Sequence, residues 1–222
     1  MMAEGTHSTA VLVEQAQIAR KAVVPLAAYV VISTLIYVVV DLLYPEENSL
    51  YLVSAIVVWG MGFLLLGQLM QITAPSGETL AGGIGSYFGL GLISGTAIGV
   101  ALVLLIVPGL YLMLRWLPSY ARLFHKREGV IESMRWSWDH TEPFQGPLAI
   151  AMVGPVAAYV LFFGIGFWYE FNYLELSDLG YQATVIGMNL SVSVAVAWFQ
   201  LLGVAAYRFI QRRQSQPVEV FE

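Results

Sequence analysis

Residues 107–141 read VPGLYLMLRWLPSYARLFHKREGVIESMRWSWDHT, and the fold turns on what this stretch interrupts. It holds the only Pro-Gly pair, the only cation inside an apolar segment (Arg115), the densest basic cluster (Arg122, Lys126, Arg127) and one amphipathic run. The chain is apolar from Ile84 onward, and 84–124 is far too long for one crossing, which takes about 20 residues. Pro108-Gly109 therefore predicts a turn between a span at 84–107 and a short one at 110–124, the latter interrupted by Pro118. His125 to Gly129 leaves the membrane. An amphipathic interfacial helix is expected over 130–141, with Ile131, Met134 and Trp138 at helical spacing on its buried face and Arg135 and Asp139 on a flank.

Outward from this centre the chain remains greasy. Of 222 residues, 58% are hydrophobic and only 11% charged, with mean hydropathy +0.72, whereas soluble domains carry about 25% charged residues. Lipid must be the solvent. The expected fold is all-α: a polytopic bundle of six transmembrane helices plus the interfacial helix. The other spans fall at 24–43, 50–71, 144–169 and 182–210, with Pro25 in the first turn of its helix and a kink at Gly154-Pro155. Domain limits follow as a cytoplasmic segment 1–21, a membrane domain 22–211 and a cytoplasmic tail 212–222. Residues 1–9 read as disordered. Residues 10–21 read either as a surface helix with Val11, Ile18 and Ala19 towards lipid or as an extension of the first span. No signal peptide is expected.

Cation placement orients the bundle in the cell membrane. Cytoplasmic flanks are enriched in Lys and Arg. With six spans and both termini cytoplasmic, Arg20, Lys21, Arg122, Lys126, Arg127, Arg135, Arg208, Arg212 and Arg213 all fall inside, which is every cation except Arg115. The outer loops then carry acids only (Asp41, Glu46, Glu47, Glu170, Glu175, Asp178).

Two patterns concern packing. Gly85, Gly89, Gly91, Gly95 and Gly99 recur mostly at four-residue steps, which suits close helix association in lipid; glycine is also simply common in membrane helices. The string Pro25-Leu-Ala-Ala-Tyr-Val recurs as Pro155-Val-Ala-Ala-Tyr-Val, and Ser54 to Trp59 is echoed by Ser193 to Trp198. These echoes read either as a parallel repeat of helix pairs or as coincidence in Ala/Val-rich sequence.

Candidate chemistry is sparse. There are no cysteines, so thiolate sites are excluded. The net charge of −5 argues against nucleic acid. The histidines lack metal-ligand spacing, no catalytic constellation is found, and no cofactor or metal is expected. Arg115 is a functional candidate because intramembrane charge is costly. It reads either as structural, snorkelling outward or paired with Asp41 or Glu170, or as a fork for a lipid phosphate or carboxylate. Arg122, Lys126, Arg127 and Arg135 read as an anionic-lipid site or as topology-setting charge.

Pro108-Gly109, Arg115, Glu128-Gly129, Ser137-Trp138 and Thr141 together resemble a motif of uncharacterised six-helix prokaryotic membrane proteins. These are the YciC-like proteins and the membrane domain fused to some glycerophosphodiester phosphodiesterases. The motif covers about 35 residues, and Glu142-Pro143 departs from the basic residue and glycine usual after the Thr. No phosphodiesterase domain is present, so the resemblance implies a membrane module without an assigned reaction. Two functional expectations follow. One is a non-enzymatic module that binds membrane lipid, anionic lipid in particular, or a partner protein or second copy. The other is a small transporter or permease subunit with broken helices around Arg115.

Overall fold

The computed structural model describes residues 2–44, 46–74, 82–126, 128–172 and 176–215. All elements among them are helical: α1 (Met2–Lys21), α2 (Val23–Leu43), α3 (Asn48–Thr73), α4 (Ile84–Leu104), α5 (Ile106–Trp116), α6 (Ser119–His125), α7 (Val130–Thr141), a 3-10 turn (Glu142–Phe144), α8 (Gln145–Asn172) and α9 (Asp178–Ser215). Five helical stretches are long and apolar enough to cross a membrane: Val23–Leu43, Asn48–Thr73, Ile84–Leu104, Val130–Asn172 and Asp178–Ser215. Several hydroxyls in such spans turn back on their own helix. Ser33 Oγ donates to Tyr29 O, Ser94 Oγ to Leu90 O and Ser191 Oγ to Gly187 O, each at 2.7 Å.

Contacts divide the described residues into two units. The first contains Ala22–Leu65 and Val153–Gln200. Asp41, expected in an acidic loop, lies in the last turn of α2, where its Oδ2 accepts from Asn189 Nδ2 at 2.5 Å. Asn189 also donates to Val185 O at 3.0 Å, and the Tyr181 hydroxyl to Asp41 O at 3.4 Å. A hydrogen bond to an ionised group contributes about 1.5–3 kcal/mol, so this pair ties α2 to α9. Gly154 makes room for Trp198, whose ring a Cβ there would overlap. Pro155 sits inside α8 without ending it. Both sequence echoes fall in this unit, and their serines are buried alike, Ser54 at 4% and Ser193 at 3% exposure.

The second unit gathers the described residues within Met1–Lys21, Leu66–Met152 and Leu201–Glu222. The chain reverses at Leu105, which is extended (φ −155°, ψ 121°). Pro108-Gly109, expected to form the turn, instead lies in the first turn of α5. A missing N–H costs nothing there, because the first four N–H groups of a helix have no partner within it. Gly109 lets α5 lie on α4: a Cβ would overlap the Leu102 side chain and come within 2.8 Å of its backbone N. From that contact the pair runs antiparallel. Tyr120 meets Ser94 at 3.3 Å, and the Phe124 ring meets Tyr87 at 6.2 Å and crowds Gly82. The expected span 110–124 is thus two helices, broken at Pro118, and α4 ends at Leu104 rather than 107.

The glycine stripe does not face this partner. Gly85, Gly95 and Gly99 have nothing near their Cβ positions, Gly89 touches Val130 at 3.6 Å and Gly91 is half-buried. Tyr87, Leu90 and Ser94 carry the buried side of α4 instead. Helix α7 has the expected bounds but a different buried face, made of Ser133, Met134, Ser137 and Thr141, while Ile131 is 60% exposed. The reason is that α7 packs against α4, α5 and α6, so its small polar residues fit the contact and Ile131 points away. The N-terminal segment is helical from Met2, correcting the disorder expected there. Its Val11 and Ile18 are buried in protein rather than turned to lipid, and Arg212 Nη1 reaches Glu14 Oε2 at 2.7 Å. α9 continues to Ser215, and the rest of the expected tail lies outside the described residues.

Overpacking costs about 1–3 kcal/mol, so Gly109→Leu should lower the unfolding temperature in detergent while Gly95→Leu leaves it unchanged. Equal melting of the two variants would contradict the close α4–α5 contact.

Candidate functional site

Arg115 sits where α5 must stop. Pro118 has no N–H to donate, and its ring crowds the carbonyl four residues back. α5 ends at Trp116 and α6 begins at Ser119, which leaves late carbonyls of α5 without helical partners. Side chains supply them. Ser119 Oγ donates to Trp116 O at 2.6 Å. Ser137 Oγ donates to Arg115 O at 2.6 Å, and Thr141 Oγ1 approaches the same oxygen at 3.4 Å while also bonding Ser137 O at 2.8 Å. Ser137 and Thr141 can share one acceptor because they are four apart on a helix.

The Arg115 side chain completes the clamp. It is 2% exposed, with its guanidinium 4.5 Å from the centre of the Trp138 ring and 5.7 Å from that of Tyr111. Trp138 is braced by Tyr111 edge-on at 5.8 Å and by Trp116 at 6.3 Å. Nε and Nη1 have no hydrogen-bond partner among the described residues. A desolvated cation–π contact is worth about 2 kcal/mol, and two rings share this guanidinium. Arg115 is therefore too buried to snorkel outward, and among the described residues it pairs with no acid. Asp41, one expected partner, is held by Asn189.

A second arginine repeats the pattern with an acid added. Arg122 Nε donates to Glu128 Oε2 at 2.8 Å and Nη2 donates to Oε1, while the guanidinium lies 4.8 Å from the centre of the Trp136 ring. Trp136 stacks on His140 at 4.5 Å and meets Tyr207 at 5.3 Å. Tyr207 is hydrogen-bonded to His125 Nδ1. Gln211 ties this group to α9 and α3: Arg208 Nη1 donates to its Oε1 at 3.1 Å and Arg208 Nε reaches Thr73 Oγ1 at 3.3 Å. That fixes the amide, so Gln211 Nε2 donates to His125 Nδ1 at 2.8 Å and to the Tyr207 oxygen at 2.9 Å. With the amide in this orientation His125 Nδ1 is the acceptor.

Of the four basic candidates beside Arg115, Arg122 is consumed by this network. Lys126 and Arg135 are exposed and make no ion pair among the described residues, and Arg127 lies outside them. Gly129 caps α7 from an extended conformation, with the Glu132 carboxylate folded against it. Ser137, Trp138 and Thr141 converge on Arg115. Sequence reasoning missed Tyr207 and Gln211: Tyr207 sits near the end of the expected span 182–210, and Gln211 falls just past it among the arginines read as setting orientation.

Trp138→Leu strands a buried charge, so it should cost about 2 kcal/mol in thermal unfolding in detergent. Adding Arg115→Leu to it should recover most of the loss, because the charge is then gone. Ser137→Ala should cost about 1 kcal/mol by leaving the Arg115 carbonyl to a long Thr141 contact. Wild-type melting of Trp138→Leu would deny the clamp any stabilising role.

No protein-family model matches this sequence, and neither a curated protein nor a solved structure matches it.

Proposed function

We propose that the chain is a non-enzymatic membrane module with six crossings and both termini cytoplasmic, which binds anionic lipid, or a partner protein, through its basic inner side. The observation that carries this reading over a carrier is the closure of Arg115: at 2% exposure between Trp138 and Tyr111, its guanidinium is not open to a solute. A transporter built around Arg115 needs a water-filled approach to it. The likeness to the YciC-like membrane proteins belongs to this proposal, supported by the convergence of Ser137, Trp138 and Thr141 on Arg115.

The sixth crossing is supported by the α4–α5–α6 hairpin. Its contacts step from Leu102 opposite Gly109 to Tyr87 and Gly82 opposite Phe124, so α5 and α6 retrace the length of α4. A reversal without a crossing would put Arg122, Lys126 and Arg135 outside, against the cation bias. Lipid binding is supported by Arg20, Lys21, Lys126 and Arg135. All four are exposed and free of ion pairs among the described residues, against exposed Glu132, Asp139 and Glu142. Each basic side chain near an anionic surface contributes about 1 kcal/mol.

Single cysteines at Asn48 and Ser177 should react with an impermeant reagent on intact cells, while those at Gln71 and Lys126 should not. Labelling at Lys126 would overturn the orientation and the sixth crossing together. In nanodiscs, the protein should melt at higher temperature in phosphatidylglycerol than in phosphatidylcholine, and Lys126→Gln with Arg135→Gln should narrow the gap. No gap in wild type would remove lipid and leave the partner protein.

A further inference from the structure

Phe163, Gly166, Phe167, Glu170 and Phe171 recur at steps of three and four residues and therefore share one face of α8. They line a groove of about 440 Å³ together with Phe162 and, from α9, Met188. That volume falls in the range of small-molecule sites, roughly 300–1,000 Å³. Gly166 makes the groove possible: a Cβ there would come within 3.1 Å of Met188 Cε. The walls are aromatic, with Phe162 and Phe163 edge to face at 5.2 Å and Phe167 tilted on Phe171 at 5.8 Å. Phe163, Phe167 and Phe171 are all more than 60% exposed, which leaves their faces open to an occupant.

Among the described residues the one ionisable lining residue is Glu170, in the last turn of α8. Its carboxylate makes no ion pair or hydrogen bond with the described residues. It also stands at the C-terminal end of α8, where unpaired carbonyls give the helix its negative pole. A positive group at the rim would be attracted by both the carboxylate and that pole. The phenyl faces below present the negative side of their quadrupoles, which favours the same sign.

We propose that this groove binds a lipophilic cation, an amine or quaternary onium with apolar arms, its charge near Glu170 and its arms among the phenylalanines. An acyl chain alone would satisfy the phenylalanines but leave Glu170 unexplained, and an anionic amphiphile would be repelled by it.

The test is equilibrium binding of tetraphenylphosphonium to the full chain in neutral-lipid nanodiscs, with protein-free discs subtracted. One saturable site per chain is expected. Glu170→Gln should weaken it by at least about tenfold, a loss of about 1.4 kcal/mol or more, and Phe167→Ala by about three- to tenfold, a loss of about 0.7–1.4 kcal/mol. Met188→Trp, which fills the groove and leaves Glu170 in place, should abolish saturation. Tetraphenylborate, the same shape with opposite charge, should show no saturable component. Melting curves identify folded variants, and Phe167→Ala removes an exposed ring, so one informative variant survives if Glu170→Gln misfolds. Uptake no greater than that of empty discs would overturn the proposal. So would binding indifferent to Glu170→Gln and Phe167→Ala, the result expected of a plain acyl-chain groove.

Discussion

Much of the second unit follows from one backbone carbonyl. The helix break at Pro118 leaves Arg115 O without the Ser119 N–H that a continuous helix would supply, and an orphaned carbonyl in a water-poor interior costs about 1–3 kcal/mol. Ser137 and Thr141 provide its hydrogen bonds. That requirement brings α7 against the break between α5 and α6. Once α7 is there, Trp138 necessarily lies beside the Arg115 side chain, since it follows Ser137 directly. The break, the cap and the cation–π contact are three consequences of a single proline.

Placement of α7 also explains its use of two tryptophans. Trp136 and Trp138 are two residues apart and project from different sides of the helix. Trp138 covers Arg115 at 4.5 Å and Trp136 covers Arg122 at 4.8 Å. The two arginines lie on either side of the Pro118 break, so α7 spans the break with an aromatic plate on each part. A helix with this task cannot float on the membrane with its apolar side down. Its small residues, Ser133, Ser137 and Thr141, must face the protein to let it approach, and Ile131 is left outside.

The long apolar helices and the bounds of α7 were legible in the sequence because each leaves a periodic or compositional mark. Apolar runs of about 20 residues are hard to read otherwise in water-free surroundings. What was not legible depended on which face meets which neighbour. A Pro-Gly pair marks a turn in most contexts, yet here the reversal precedes it at Leu105, because Pro108 fits the first turn of a helix as well as it fits a loop. The glycine spacing in α4 reads as a packing face, but spacing does not say which side meets the neighbour, and the hairpin uses Tyr87, Leu90 and Ser94. The partner of Arg115 was sought among acids, since charge is the usual answer to charge. An aromatic answer leaves only Trp138, three residues beyond Arg135, as its trace, and in one dimension that residue reads as an anchor at the interface.

Charge in lipid is expensive unless something nearby answers it, and the charged side chains sort on that basis. Arg115 is answered by rings, Arg122 by Glu128 and a ring, Asp41 by Asn189, and Glu14 by Arg212. These pairs account for the folding of their own units and have little capacity left for an outside molecule. Glu170, Lys126 and Arg135 have no such answer among the described residues. Exposed charge at the edge of a span is solvated and needs no partner, so these side chains are the ones with capacity left for one. Under the two proposals above, the cations would meet an anionic surface and Glu170 a cation with an apolar body. The two requirements differ in sign and in shape, so a single ligand class cannot meet both.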